Sequence, residues 1–115
     1  MHELSIAVSL VEAAQEEAAR HGAAAVCAVR LRLGPLAGVQ KEALLFSYDL
    51  ASEGTPLQGS RLIVEEMPVM VFCADCREVR PIRSLQSFCC ATCGAPSAEI
   101  VQGRELEVVG LEIDQ

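Results

Sequence analysis

The apolar and polar positions of the first twenty residues follow the period of an α-helix. Apolar side chains recur at steps of three and four residues, and charged side chains occupy the other faces. The pattern predicts a helix over Glu3–Arg20, which ends where His21 and Gly22 follow, because glycine just beyond the last turn commonly stops a helix. The predicted apolar stripe consists of Leu4, Val8, Val11, Ala14 and Ala18.

The next segments predict a strand and a second helix. Val26–Leu33 alternates between apolar and polar residues, which is typical of a half-buried strand. Cys27 lies on its apolar face, so we expect a small buried hydrophobic residue there. The second helix is predicted from about Gln40 to Ser52, ahead of a Gly-Thr-Pro turn. Its inward face would consist of Ala43, Leu44, Ser47, Tyr48 and Ala51.

Two more strands complete the predicted fold. Arg61–Val71 reads as a strand in which Pro68 marks an edge or a break, and Arg104–Ile113 reads as another. If these two strands pair antiparallel, the residues between them hang from the end of the sheet. We therefore predict an α+β fold, with a three-stranded mixed sheet, two helices on one face and an inserted small metal-binding module. The expected boundaries are 1–70 and 99–115 for a discontinuous α+β domain and 71–98 for the module.

Composition narrows the class of protein. The 115 residues are 51% hydrophobic, and sixteen acidic against nine basic residues give a net charge of −7. This charge argues against a nucleic-acid partner, since such affinity depends on Lys and Arg neutralising phosphates. The acidic start does not resemble a signal peptide, and the longest apolar stretch, 67–74, is too short to cross a bilayer. We therefore expect a soluble cytoplasmic protein without a membrane partner.

Four of the six cysteines have the spacing of metal ligands. Cys73 and Cys76 form one C-x₂-C pair, and Cys90 and Cys93 form a second pair thirteen residues later. Two such pairs can surround one ion as a tetrahedron of sulfurs, which is the geometry of structural zinc sites. Four protein ligands leave no open position for water, so the predicted site is structural. The neighbouring Cys89 would give an x₃ spacing and is interpreted as a bystander.

Two other uses of these cysteines stay open. Disulfides are disfavoured in a reducing cytosol. Iron in a rubredoxin-like site is a stronger alternative, because C-x₂-C pairs also bind iron. Only Phe72 and Phe88 are near the pairs in sequence, without a dense aromatic shell, and zinc is favoured on that ground.

The opening residues, MHELS, suggest a second metal site. The chain has two histidines, and one of them is His2. The amine of Met1, the backbone nitrogen and imidazole of His2 and the backbone nitrogen of Glu3 can form a roughly planar nitrogen donor set. Such a set suits Ni(II) or Cu(II). The alternative is an exposed histidine at a frayed terminus with no function.

Five segments together resemble the HypA/HybF family of hydrogenase maturation nickel metallochaperones. They are MHELS, LRLGPLAGV, CADC, FCCATCG and GRELEVVGLEI, and the resemblance extends along essentially the whole chain. It implies a small α+β protein in which His2 is the principal nickel ligand, assisted by the Met1 amine and Glu3. It also implies structural zinc on Cys73, Cys76, Cys90 and Cys93. Ala91 departs from the family pattern, which often has proline there.

The resemblance further implies that Ni(II) is a cargo and that the protein is not an enzyme. The implied partners are a hydrogenase maturation GTPase and the [NiFe]-hydrogenase large subunit, with urease as a second recipient for some relatives. We expect a monomer or a weak homodimer. Three rival classes are a zinc-ribbon interaction module, an iron redox carrier and a carboxylate-based enzyme, although the chain contains no H-E-x-x-H, P-loop or G-x-S-x-G motif.

Overall fold

A computed structural model of the chain describes residues 2–23 and 25–114. Two helices are present in these ranges, α1 (Glu3–Arg20) and α2 (Lys41–Ser52), with a short 3₁₀ turn at Pro35–Ala37. The strands are β1 (Ala25–Leu33), β2 (Arg61–Glu66), β3 (Met70–Cys73), β4 (Glu78–Ser84), β5 (Ser87–Cys90), β6 (Ile100–Gln102) and β7 (Leu106–Asp114).

The first helix has the predicted bounds but a shifted buried face. Leu4 and Val8, expected in the apolar stripe, are 40% and 41% exposed. The reason is angular, because the buried stripe is centred near Ala7 and Ala14, and Leu4 and Val8 lie on its margin. Gly22 follows the helix with a φ of +67°, as a terminating glycine does. The buried side chains of α1 are Ile6, Ala7, Leu10, Val11, Ala14 and Ala18.

The second helix packs against the first and carries a polar link into the core. Leu44, Ser47 and Tyr48 are buried as predicted. The Tyr48 hydroxyl lies 2.7 Å from Ser60 Oγ, so this buried phenol has a hydrogen-bond partner. Burial raises the pKa of Tyr48, so the phenol stays protonated.

The predicted mixed three-stranded sheet is confirmed, with the strand order β2-β1-β7. Strands β2 and β7 are therefore not neighbours, and the expectation that the strands on either side of the module pair with each other was wrong. The prediction for Cys27 was also wrong, since its side chain is exposed. At the start of β1 the buried residues are Val26 and Ala28, and the inward set shifts to Val29 and Leu31 further along.

The single strand predicted over Arg61–Val71 is interrupted at the proline. β2 ends at Glu66 and β3 begins at Met70, with Pro68 between them, so the expected break occurs. β3 belongs to a second sheet of four strands in the order β5-β4-β3-β6. Antiparallel pairing joins β3 to β4 and to β6, and β4 to β5.

The chain divides into two compact units. Unit 1 comprises 1–32, 38–65 and 107–115, and unit 2 comprises 33–37 and 66–106. The segment 71–98 lies within unit 2, together with flanking residues that complete its sheet. Strands β4, β5 and β6 of this unit were not predicted, because turns and cysteines interrupt any alternation that a short strand could show.

A tight backbone crossing lies inside unit 2. The Gly34 amide donates to the Glu105 carbonyl at 2.8 Å, and the Leu36 amide donates to the Gly103 carbonyl at 2.8 Å. A Cβ atom at Gly34 would lie 2.1 Å from the Gly103 carbonyl oxygen. Only glycine permits this approach of two backbone segments.

Candidate metal centre

Unit 2 brings four cysteine sulfurs together. Cys73 ends β3, Cys90 ends β5, and Cys76 and Cys93 follow in the two adjoining turns. All four sulfur atoms lie within 4.8 Å of one another, with 3.5 Å between Cys73 and Cys93 and 3.9 Å between Cys76 and Cys90. A tetrahedral ion with metal–sulfur bonds of about 2.3 Å needs sulfur–sulfur separations of about 3.8 Å. The cluster therefore has the dimensions of a four-sulfur zinc site.

The two cysteine turns have the same backbone design. In the first turn the Cys76 amide donates to Cys73 Sγ at 3.4 Å, and in the second the Cys93 amide donates to Cys90 Sγ at 3.5 Å. The residue after each turn has a positive φ, +57° at Arg77 and +80° at Gly94. The amides of these residues close the turns onto the carbonyls of Cys73 and Cys90. Arginine carries no sequence signal for a left-handed conformation, so the positive φ of Arg77 could not be predicted.

The electrostatics of the cluster favour a bound cation. A hydrogen bond from the Cys93 amide lowers the pKa of the Cys90 thiol to about 6, against the effect of desolvation. The Ala95 amide acts in the same direction on Cys93, but hydrogen bonds among the sulfurs outweigh it and raise the pKa of Cys93 to about 12. Crowded sulfurs thus share protons, and a divalent metal stabilises all four thiolates by replacing those protons.

Arg80 is a further residue of the site that sequence analysis missed. A hydrogen bond to the neighbouring Cys76 sulfur raises the pKa of the Arg80 guanidinium. The same guanidinium forms an ion pair with Glu78, with 2.5 Å between Arg80 Nη2 and Glu78 Oε2. Four thiolates around a dication carry two net negative charges, so an adjacent guanidinium offsets part of that charge. Alternation along β4 places Arg80 near the sulfurs, but this strand was not recognisable from sequence.

Cys89 is separate from the four-sulfur cluster. Its sulfur accepts a hydrogen bond from the Ser87 hydroxyl at 3.4 Å, and the residue forms a bridge with Pro96. Next to the cluster, the Ala91 amide donates to the Pro81 carbonyl at 3.0 Å. A proline at position 91 would lack this donor.

Of the predicted nickel ligands, His2 and Glu3 lie in unit 1. His2 is the N-cap residue of α1, exposed to solvent, and its Nδ1 atom accepts a hydrogen bond from the Leu4 amide at 3.3 Å. Glu3 is the acidic residue of the first turn. Met1 lies outside the described residues. The other histidine, His21, caps the carboxyl end of the helix, where its Nε2 atom lies 3.1 Å from Glu17 Oε1.

These features define a class: a small α+β protein with a closed four-cysteine metal site in one unit and an exposed histidine at the first helix of the other. Comparison with known proteins gives the family. The sequence model described as hydrogenase/urease nickel incorporation, metallochaperone, hypA matches residues 1–113. The chain belongs to this HypA family.

None of the helices in the described ranges is long and apolar enough to cross a membrane.

Curated relatives are similar in sequence to this chain along nearly its whole length. The hydrogenase maturation factor HypA of Roseiflexus sp. is 51% identical over 114 residues, which cover 99% of this chain and 93% of the relative. The HypA of Chloroflexus aurantiacus is 51% identical over 112 residues, covering 97% and 98%. The hydrogenase maturation factor HybF of Klebsiella pneumoniae is 38% identical over 112 residues, covering 97% and 98%.

Two solved structures share the fold. The solution structure of the Ni metallochaperone HypA from Helicobacter pylori has a TM-score of 0.69 at 24% identity and covers 98% of this chain and 97% of that chain. A second solution structure of a HypA protein has a TM-score of 0.72 at 24% identity, covering 98% and 96%. The predicted family is thus confirmed by sequence, and the fold is confirmed by structure.

Proposed function

We propose that this protein carries Ni(II) on its amino terminus and delivers it during the maturation of a [NiFe]-hydrogenase. His2 is the principal ligand in this proposal, and the Met1 amine and Glu3 complete the donor set. The observation that supports the proposal most strongly is the exposed imidazole at the N-cap of α1 in a chain of the HypA family. The role is that of a carrier rather than an enzyme.

The backbone at this end of α1 suits nitrogen coordination. The first amides of a helix have no carbonyl partner within the helix, so the Glu3 amide can lose its proton to a metal without breaking a helical hydrogen bond. The His2 amide precedes the helix altogether. Nickel held by such nitrogens replaces protons on binding, and its affinity therefore rises with pH.

The second part of the proposal concerns the four-cysteine centre. Zn(II) would be held by Cys73, Cys76, Cys90 and Cys93 with no position left for a substrate. The sulfur–sulfur distances and the paired amide–sulfur hydrogen bonds support a closed site. Zinc supplies no redox chemistry, so its contribution is to stabilise unit 2.

The partners follow from the function. We propose a hydrogenase maturation GTPase as the protein that exchanges nickel with the carrier and the hydrogenase large subunit as the recipient. Urease is a second candidate recipient, because the matching family model covers nickel incorporation into hydrogenase and urease. The proposed location is the cytoplasm, where thiols stay reduced. The proposed state is a monomer or weak homodimer, because a net charge of −7 on each chain opposes self-association.

The role of His2 is tested by exchanging each histidine in turn. His2→Ala removes the imidazole from the proposed site, and we expect a calorimetric nickel titration of the zinc-loaded protein to lose its one-equivalent binding event. His21→Ala is the matched control, since it removes the other imidazole of α1 and should leave nickel binding unchanged. Equal nickel binding by both variants would reject the amino-terminal site.

A further inference from the structure

The imidazole of His2 has a structural role in the first turn of α1. Its Nδ1 atom accepts a hydrogen bond from the Leu4 amide at 3.3 Å. The backbone of His2 is extended, with a φ of −80° and a ψ of 131°, as is usual for an N-cap residue. Its carbonyl accepts the first helical hydrogen bond, from the Ile6 amide at 3.2 Å. His2 therefore caps the helix by both its side chain and its carbonyl.

The capping atom is also the atom that a metal chelate requires. A neutral imidazole has one protonated nitrogen and one nitrogen with a free lone pair. Because the Leu4 amide donates to Nδ1, the lone pair of His2 is on Nδ1. This is also the ring nitrogen that can close a compact chelate ring with the backbone nitrogen of His2, since Nε2 lies on the far side of the ring. One lone pair cannot serve the Leu4 amide and nickel together.

We infer that nickel and the first turn of α1 compete for Nδ1 of His2. This inference rests on the proposed function and adds a mechanism of release. Nickel binding breaks the hydrogen bond from the Leu4 amide to Nδ1, and this bond forms again as nickel leaves. The competing hydrogen bond therefore lowers the affinity of the protein for nickel and favours the release of nickel during transfer. By linkage, any change that removes the competing amide hydrogen tightens nickel binding.

The test removes the amide hydrogen of residue 4. Leu4→Pro deletes this donor, and a proline in the first turn of a helix breaks no helical hydrogen bond. Leu4→Ala is the matched control, because it loses the same 40%-exposed side chain but keeps the amide hydrogen. We expect calorimetry on the zinc-loaded proteins to give a nickel affinity about five-fold higher for Leu4→Pro than for Leu4→Ala, as the usual strength of an N-cap implies. An equal or lower affinity overturns the competition.

A second pair of variants separates capping from nickel binding. Asparagine is a good N-cap residue and can accept from the Leu4 amide, whereas alanine cannot. Without nickel, His2→Asn should keep the melting temperature of the parent, and His2→Ala should melt several degrees lower. Equal melting of the two variants rejects the cap and, with it, the competition.

The outcomes distinguish failure of this inference from failure of the proposed function. If His2→Asn binds nickel like the parent, the proposed nickel site is wrong. If His2→Asn loses nickel while Leu4→Pro binds no tighter than Leu4→Ala, the site stands and the competition fails. If Leu4→Pro loses the helical circular dichroism signal, the competition is tested instead by hydrogen exchange of the Leu4 amide in the parent protein. Faster exchange with nickel bound supports competition, and unchanged exchange rejects it.

Discussion

Cys73→Ser is expected to unfold unit 2 while the two helices persist. Apparent binding free energies of structural zinc sites are about 10 kcal/mol or more, comparable to the total stability of a domain at about 5–15 kcal/mol. Among the described residues, the buried apolar side chains of unit 2 are few, and two of them belong to the four-cysteine cluster. They are Leu33, Val69, Val71, Cys73 and Cys90. Without the metal, this small core cannot offset the entropy of ordering the chain.

Two readouts separate the units. The helices α1 and α2 both belong to unit 1, so the helical circular dichroism signal should remain in Cys73→Ser. Amide protection of β3 and β4 should be lost, and the zinc content should fall to zero. Cys89→Ser is the matched control, because this cysteine lies next to Cys90 but outside the cluster, and it should keep both the metal and the protection. A Cys73→Ser protein with intact protection in β3 would contradict a metal-dependent unit 2.

Gly34→Ala is expected to cost at least about 3 kcal/mol of stability in unit 2, as severe overpacking does. The new Cβ would lie 2.1 Å from the Gly103 oxygen and 2.3 Å from the Gly103 carbon. These are backbone atoms, so no side-chain rotation relieves the clash. Separating the two segments would also lengthen the hydrogen bonds that join Gly34 to Glu105 and Leu36 to Gly103. Denaturant unfolding, followed through the amide NMR signals of β3, would measure the loss of stability.

Gly110→Ala, in β7 of unit 1, provides the comparison, with its unfolding followed on the amides of β7. Gly110 has no positive φ, and a Cβ there would meet Arg30 Cδ at an ordinary 3.6 Å. Its replacement should change the stability by less than about 1 kcal/mol, because it removes the entropic penalty of glycine and adds no clash. If the two variants lose the same stability, the close crossing at Gly34 is not what requires glycine in unit 2.

Local signals explain why parts of the fold were predictable. The period of α1 extends over five turns and ends at a glycine, so the bounds Glu3–Arg20 were recovered. The four-cysteine cluster was predicted for the same reason. Each C-x₂-C pair spans a single turn, and the two turns together supply four sulfurs to one site.

Non-local pairing explains what sequence analysis missed. The order β2-β1-β7 depends on contacts between distant segments, and no pattern within β2 or β7 specifies its neighbour. Cys27 is exposed because the inward set of β1 shifts phase within the strand. Arg80 reaches the sulfurs only once β4 pairs with β3. The capping role of His2 was also missed, because histidine is not among the preferred N-cap residues.

The amino-terminal nickel site is tested most directly by blocking the amine of Met1. Nickel is titrated by calorimetry into the zinc-loaded protein that begins with Met1 and into the same protein carrying Gly-Ser before Met1. The extension leaves His2, Glu3 and the four cysteines unchanged but converts the amine into an amide. We predict that the one-equivalent nickel site is present in the first protein and abolished in the second. Equal nickel binding by the two proteins would contradict an amino-terminal site.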